Sequence, residues 1–407
     1  MTRIFFARRS LGIAALAAGL IAVTGWTIHL ARAADPAPAK PADGKAADGK
    51  AADAKAEGAN AFAVPEGTPA ELLEFIDKVR QAQPPADAKS QEDIKTFVKK
   101  SRTAMLQAAD KILDSKPNAK TRVEAIHAKI EALAQLDEVS NDAKVTKQLH
   151  DYVDELQNDK VPEVAKMGRQ VSLMLRIRAL DTEAGAADAP KIWADIKAGL
   201  KAAPEDPENI QLAVMAAQAF EELPGKNTDL AAQAYRELVS VLSKSKDPRL
   251  NAYAKQFEGV ARRLSLMGNP IEFKGTVLNG KAFDPGTLKG KVVLVDFWAT
   301  WCDPCRQELP NVLANYKKYH DKGFEVVGVS LDKDKGALEK FIADQKLPWP
   351  ILFNDNTEEE FWNAPMAVYY GISGIPTVIL TNQKGEVVSL NARGPELGKK
   401  LAELLDK

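Results

Sequence analysis

The chain has 407 residues, with 56 acidic against 55 basic side chains and two cysteines. That length suggests two or three domains. The near-balance of charge gives no electrostatic ground for nucleic-acid binding. Two cysteines exclude a scaffold of several disulfides and fall short of the four ligands that a structural zinc site needs.

Residues 1–33 read as an export segment or an N-terminal anchor. Arg3, Arg8 and Arg9 make a positive start, Leu11 to Ile28 carries no charge, and Ala31-Arg32-Ala33 fits the small-x-small cleavage pattern. The apolar run lies between a long signal core and a short membrane span, so cleavage after Ala33 and tethering through residues 11–28 both stay open. Either reading exports the rest of the chain, to the periplasm or to a membrane face open to it. Arg8-Arg9 also admits twin-arginine export. Residues 34–65 read as a linker. Ala-Asp-Gly-Lys-Ala recurs at 42–46 and 47–51 with a variant at 52–56. Residues 34–61 lack the large apolar side chains that would offset the cost of ordering them.

Residues 66–267 carry helical periodicity. Thr68-Pro69-Ala70-Glu71 predicts a capped helix start with proline at the first position. Ser90 predicts a second start, with an apolar face of Ile94, Phe97, Val98, Met105, Ala109, Ile112 and Leu113. Asp206-Pro207 and Asp247-Pro248 repeat the cap-plus-proline signal. Leu230, Ala234, Tyr235, Leu238 and Leu242 form one stripe, and Leu250, Tyr253, Phe257, Val260 and Leu264 another. Eight or nine helices are expected, as an irregular bundle or as helical hairpins in a tetratricopeptide-like array. His127 and His150 stand alone on helices and suggest no chemistry.

Residues 268–407 change pattern. Apolar, β-branched runs at 291–297, 324–331, 376–381 and 386–390 predict strands. Helices are expected at 304–320, 335–345 and 395–405. Strands alternating with helices, then a hairpin and a last helix, describe a small α/β domain. The fold expected overall is therefore multidomain, an all-α region followed by an α/β domain.

Both cysteines fall in Trp301-Cys302-Asp303-Pro304-Cys305, directly after the first predicted strand and at the start of a helix. A thiolate at Cys302 meets the free N–H groups and the dipole of a helix N-terminus, which lowers its pKa. Cys305, one turn on, is placed to resolve a mixed disulfide at Cys302. Asp303 opposes the thiolate, and no histidine stands between the cysteines, so the pair leans towards reduction. Asp296, an acid inside an apolar strand, is costly unless it has a task. In an exported chain, one close pair is better suited to exchange with oxidised partners than to stapling.

The run Val295 to Cys305, with Glu308, Pro310 and Gly374-Ile375-Pro376-Thr377, resembles the exported TlpA/ResA-like branch of the thioredoxin-fold proteins. The resemblance covers about the last 140 residues. It implies a thioredoxin-like fold, thiol-disulfide oxidoreductase activity and no metal or organic cofactor. It also implies proton transfer by Asp296 and Glu308, and a cis-proline loop in which Ile375 and Pro376, with Trp301, meet the substrate. Relatives that carry only one of the two acids leave the proton acceptor open here. Trp298 matches a family position whose part is packing. The implied partners are oxidised protein substrates and a membrane thiol electron donor, with cytochrome c maturation or general disulfide repair as duties. The segment between the first strand and Pro376 is longer than in a minimal thioredoxin, and Asn354 to Ala367 within it reads as a surface loop. Two other functions stay open: a helical scaffold that uses the α/β domain to recognise partners, and a thiol peroxidase. Residues around the cysteines do not reproduce the peroxidase pattern.

Overall fold

In the computed structural model, residues 62–223, 228–355 and 361–406 are described. The expected export segment or anchor at 1–33 and nearly all of the expected linker lie outside them. No helix among the described residues is long and apolar enough to cross a membrane.

Nine helices precede the sheet among the described residues. They are α1 (Pro69–Gln81), α2 (Gln91–Asp114), α3 (Ala119–Ser140), α4 (Ala143–Gln157), α5 (Pro162–Arg178), α6 (Glu183–Ala202), α7 (Pro207–Glu221), α8 (Thr228–Leu242) and α9 (Pro248–Leu264). The compact units of the chain divide between Ser172 and Leu173, within α5.

The first unit shows how local chemistry sets the helix starts. The Thr68 hydroxyl accepts from the Glu71 N–H, and the Glu71 carboxylate accepts from the Thr68 N–H at 2.7 Å. Ser90 and Asp93 repeat this box at α2. Each pair satisfies donors that the first helical turn leaves open. The core joins Leu72, Ile76 and Val79 to Met105, Ala109 and Ile112 of α2 and to Ala125, Ala128 and Ala132 of α3. Ile94, expected on the buried face of α2, is 42% exposed. It lies in the first turns of α2, and the buried stripe of that helix begins only at Ser101.

In the second unit, Asp206 and Asp247 cap α7 and α8's successor α9 with their carboxylates, followed by Pro207 and Pro248 as expected. Ala234, Tyr235, Leu238 and Leu242 of α8 pack with Leu250, Phe257, Val260 and Leu264 of α9 in one core.

The α/β part follows in the same unit. Its elements are β1 (Val292–Trp298), α10 (Asp303–Tyr319), β2 (Phe324–Ser330), α11 (Lys335–Gln345), β3 (Ile351–Leu352), α12 (Pro365–Tyr369), β4 (Thr377–Thr381), β5 (Val387–Ser389) and α13 (Pro395–Leu405). The sheet order is β3-β2-β1-β4-β5. β1 runs parallel to β2 and antiparallel to β4. β1 is thus central, and its apolar residues Val292 to Val295 are buried as a fully covered strand requires. The all-α region followed by a thioredoxin-like α/β domain is the architecture expected. The two-residue β3 and the five-residue α12 were not, because neither is long enough to show a period.

The α/β part is docked on α9 through α12 and the turn after it. Arg262 donates to the Tyr369 carbonyl at 2.5 Å and Arg263 to the Tyr370 carbonyl at 3.3 Å. The Tyr369 ring lies between the Arg262 guanidinium at 4.0 Å and Lys274 Nζ at 3.6 Å. Gly259 of α9 meets Gly371 so closely that a Cβ on Gly259 would lie 2.5 Å from the Gly371 nitrogen. Gly371 itself has φ of 59°, a backbone conformation natural to glycine.

Candidate redox site

β1 delivers the chain into the turn that holds the cysteines. Cys302 is the N-cap of α10, with Pro304 in its first turn. Its Sγ accepts the Cys305 N–H at 3.2 Å, so the sulfur takes the place that a serine or aspartate oxygen takes at an ordinary helix start. Cys302 and Cys305 form a disulfide, with Cα atoms 5.3 Å apart. Both residues are buried, at 5% and 6% exposure. Asp303 points to solvent and pairs with Arg306 at 3.3 Å.

The turn before the cysteines is anchored from β2. Asp332, just past β2, is 3% exposed. It accepts from the backbone N–H of Thr300 at 3.1 Å and from its hydroxyl at 2.5 Å. Ser330 donates to the other carboxylate oxygen at 2.9 Å.

Asp296 lies in β1 opposite Gly328 of β2 and Val378 of β4. The residue keeps some exposed surface, but its carboxyl is enclosed by protein. Burial first, and then the charge of Glu308, push its pKa up to about 7, while Arg393 pulls it down. Glu308, two turns into α10, accepts from the Gly394 N–H at 2.8 Å and from Asn311 at 2.7 Å. Asn311 also donates to the Gly394 carbonyl at 3.1 Å, so α10 and the start of α13 are tied at this acid.

The Ile375–Pro376 bond is cis. The Pro376 carbonyl accepts from Arg393 Nη1 at 3.0 Å. Trp301 is 48% exposed and packs on Phe361 and Trp362, with ring centroids at 5.2 and 6.4 Å. Trp298, by contrast, is buried and packs on Phe341.

The structure therefore brings the cysteine pair together and gathers Asp296 and Glu308 with Arg393 beside them. Sequence reasoning missed Asp332, Arg393, Asn311 and Gly394. None sits in a motif; Asp332, Arg393 and Gly394 reach the site only through packing of β2 or α13, and Asn311 meets Gly394 from α10 itself. Asp332 had one faint signal, an acid directly after an apolar strand.

A central strand of a mixed sheet that leads into a cysteine pair at a helix N-terminus defines a thioredoxin-like redox domain. Residues 268–390 match the AhpC/TSA family. The thiol-disulfide oxidoreductase ResA of Bacillus subtilis (strain 168) is 34% identical over 112 residues, 28% of this chain and 59% of that protein. ResA of Bacillus thuringiensis subsp. konkukian is 31% identical over 135 residues, 33% of this chain and 73% of that protein. The solved thioredoxin domain of a thiol-disulfide oxidoreductase from Bacteroides vulgatus is 31% identical, covers 34% of this chain and 97% of that domain, and has a TM-score of 0.31. Through its C-terminal domain the chain belongs to the ResA-like thiol-disulfide oxidoreductases.

Proposed function

We propose that the chain is an exported reductase of protein disulfides. The observation that carries this reading is the Cys302–Cys305 pair at the start of α10, with the raised-pKa acid Asp296 in the strand that leads to it.

In the dithiol form, the Cys302 thiolate attacks one sulfur of a substrate disulfide. The S–S bond breaks, a mixed disulfide forms at Cys302, and the released substrate sulfur takes up a proton. Cys305 then gives its proton to Asp296 and attacks the Cys302 sulfur. The second substrate sulfur leaves as a thiolate and takes up a proton, and the Cys302–Cys305 disulfide remains. Two electrons have passed to the substrate. A membrane thiol donor returns them and restores the dithiol. Free helix N–H groups favour the thiolate at Cys302. An Asp296 pKa near neutrality suits a group that must take up and release a proton in each cycle. Glu308 supports this as a second acid whose charge keeps Asp296 basic. Trp301, Ile375 and Pro376 form the surface that meets the substrate backbone.

The test is to express Cys305→Ser with its export segment and isolate mixed disulfides through Cys302. Recovery of protein partners that Cys302→Ser,Cys305→Ser does not retain is expected. Correct export without any such adduct would count against the reading.

A further inference from the structure

We propose that Arg393 is a positioning residue that ties the substrate-facing cis-proline loop to the charge beneath the cysteine pair. The assignment rests on the reductase reading above. Arg393 Nη1 donates to the Pro376 carbonyl at 3.0 Å, while its Nε donates to Asn391 Oδ1 at 2.9 Å. Asn391 thus orients the guanidinium, and two different edges of one planar group are used. A lysine ammonium supplies the charge but not this fork. The next residue, Gly394, donates its N–H to Glu308. The short loop before α13 therefore holds the cis-proline loop by a side chain and Glu308 by its backbone.

Asp296 is faced by few groups. β2 and β4 place Gly328 and Val378 opposite it, neither of them charged. Glu308 lies on α10, the helix that the cysteines open, and Arg393 on the loop before α13. Among the described residues, Glu308 and Arg393 are the charges that act on it, with opposite sign. Glu308 favours the protonated acid and Arg393 the carboxylate. Arg393 is exposed, so its pull is screened by salt. A change that moves the cis-proline loop on binding substrate would also move this charge.

The experiment uses the full chain in the oxidised form with 13C-labelled aspartate carboxyls, and Asp296→Asn identifies the Asp296 signal. Arg393→Gln is expected to raise the Asp296 midpoint by about half a pH unit in low salt, less than an unscreened partner would give. The shift should shrink in molar salt. Arg393→Lys keeps the charge and should titrate like the unsubstituted chain. With insulin as the protein disulfide, both variants should raise KM about threefold or more, because both lose the bond to Pro376. An unshifted Asp296 midpoint in Arg393→Gln, or an unchanged KM for insulin in both variants, overturns the assignment of Arg393. Titration of Asp296 as an ordinary carboxylate in the unsubstituted chain overturns the proton-transfer reading of the site instead.

Discussion

Asp332 holds Thr300: its carboxylate accepts both the backbone N–H and the hydroxyl of that residue, two positions before Cys302. The pair joins the end of β2 to the turn that presents the cysteines. Removing the carboxylate in Asp332→Ala strands a Thr300 N–H and the Ser330 hydroxyl in a mostly buried setting. Each such loss costs about 1–3 kcal/mol, so chemical denaturation should show a loss in that range or somewhat above. Asp332→Asn keeps one acceptor oxygen and should lose less. Equal stability of Asp332→Ala and the unsubstituted chain would show that the turn does not depend on this anchor.

Asp296 should make stability depend on pH. Its folded pKa is raised from 3.8 to about 7. Below the unfolded value both states are protonated and nothing is lost. As pH rises from about 4 to 7, the unfolded chain releases the proton while the folded chain retains it, so folding stability falls. A shift of this size corresponds to up to about 4 kcal/mol. Asp296→Asn should therefore be more stable than the unsubstituted chain at pH 8 and should lose this slope, while resolving mixed disulfides more slowly. Denaturation of the oxidised proteins at pH 5 and pH 8 measures it. A pH slope retained in Asp296→Asn would assign it to another group.

Gly259→Ala tests the docking of α9 on the turn after α12. The new Cβ would meet backbone atoms of Val368 and Gly371 at 2.5–2.9 Å. Backbone cannot swing aside as a side-chain tip does, so a loss of about 1–3 kcal/mol is expected. Gly371 leads through Ile372 and Gly374 to the cis-proline loop, so insulin reduction should fall along with stability. A neutral Gly259→Ala would mean that the two parts separate at little cost.

Trp301→Ala should separate binding from folding. Trp301 is 48% exposed, and its partners Phe361 and Trp362 pack on each other as well, at 5.3 Å. Stability should change by less than about 1 kcal/mol. KM for a protein disulfide should rise severalfold, because the exposed ring lies beside Cys302. An unchanged KM would remove Trp301 from the substrate surface.

Much of this was readable before the fold. Thr68, Ser90, Asp206 and Asp247 announced their helices because a cap is a local device. β1 and β2 showed as continuous apolar runs because both faces are covered. Cys302 and Cys305 sit in one short motif, so spacing alone carried them. Arg393 was silent, and Asp332 nearly so, for the opposite reason. Their meaning lies in Pro376 and Thr300, which only tertiary packing brings near. The same holds for Gly259, an unremarkable helical glycine until Gly371 is set against it. Ile94 misled because a correct helical period says which face is apolar, not how far along the helix a neighbour covers it.

The central claim is that Cys302 and Cys305 donate electrons, and their reduction potential tests it most directly. Equilibrating the full chain with dithiothreitol or glutathione buffers and trapping free thiols gives the value. The account predicts a potential close to that of thioredoxin, about −270 mV. A value near that of a strong oxidant such as DsbA, about −120 mV, would contradict it and make the chain a donor of disulfides.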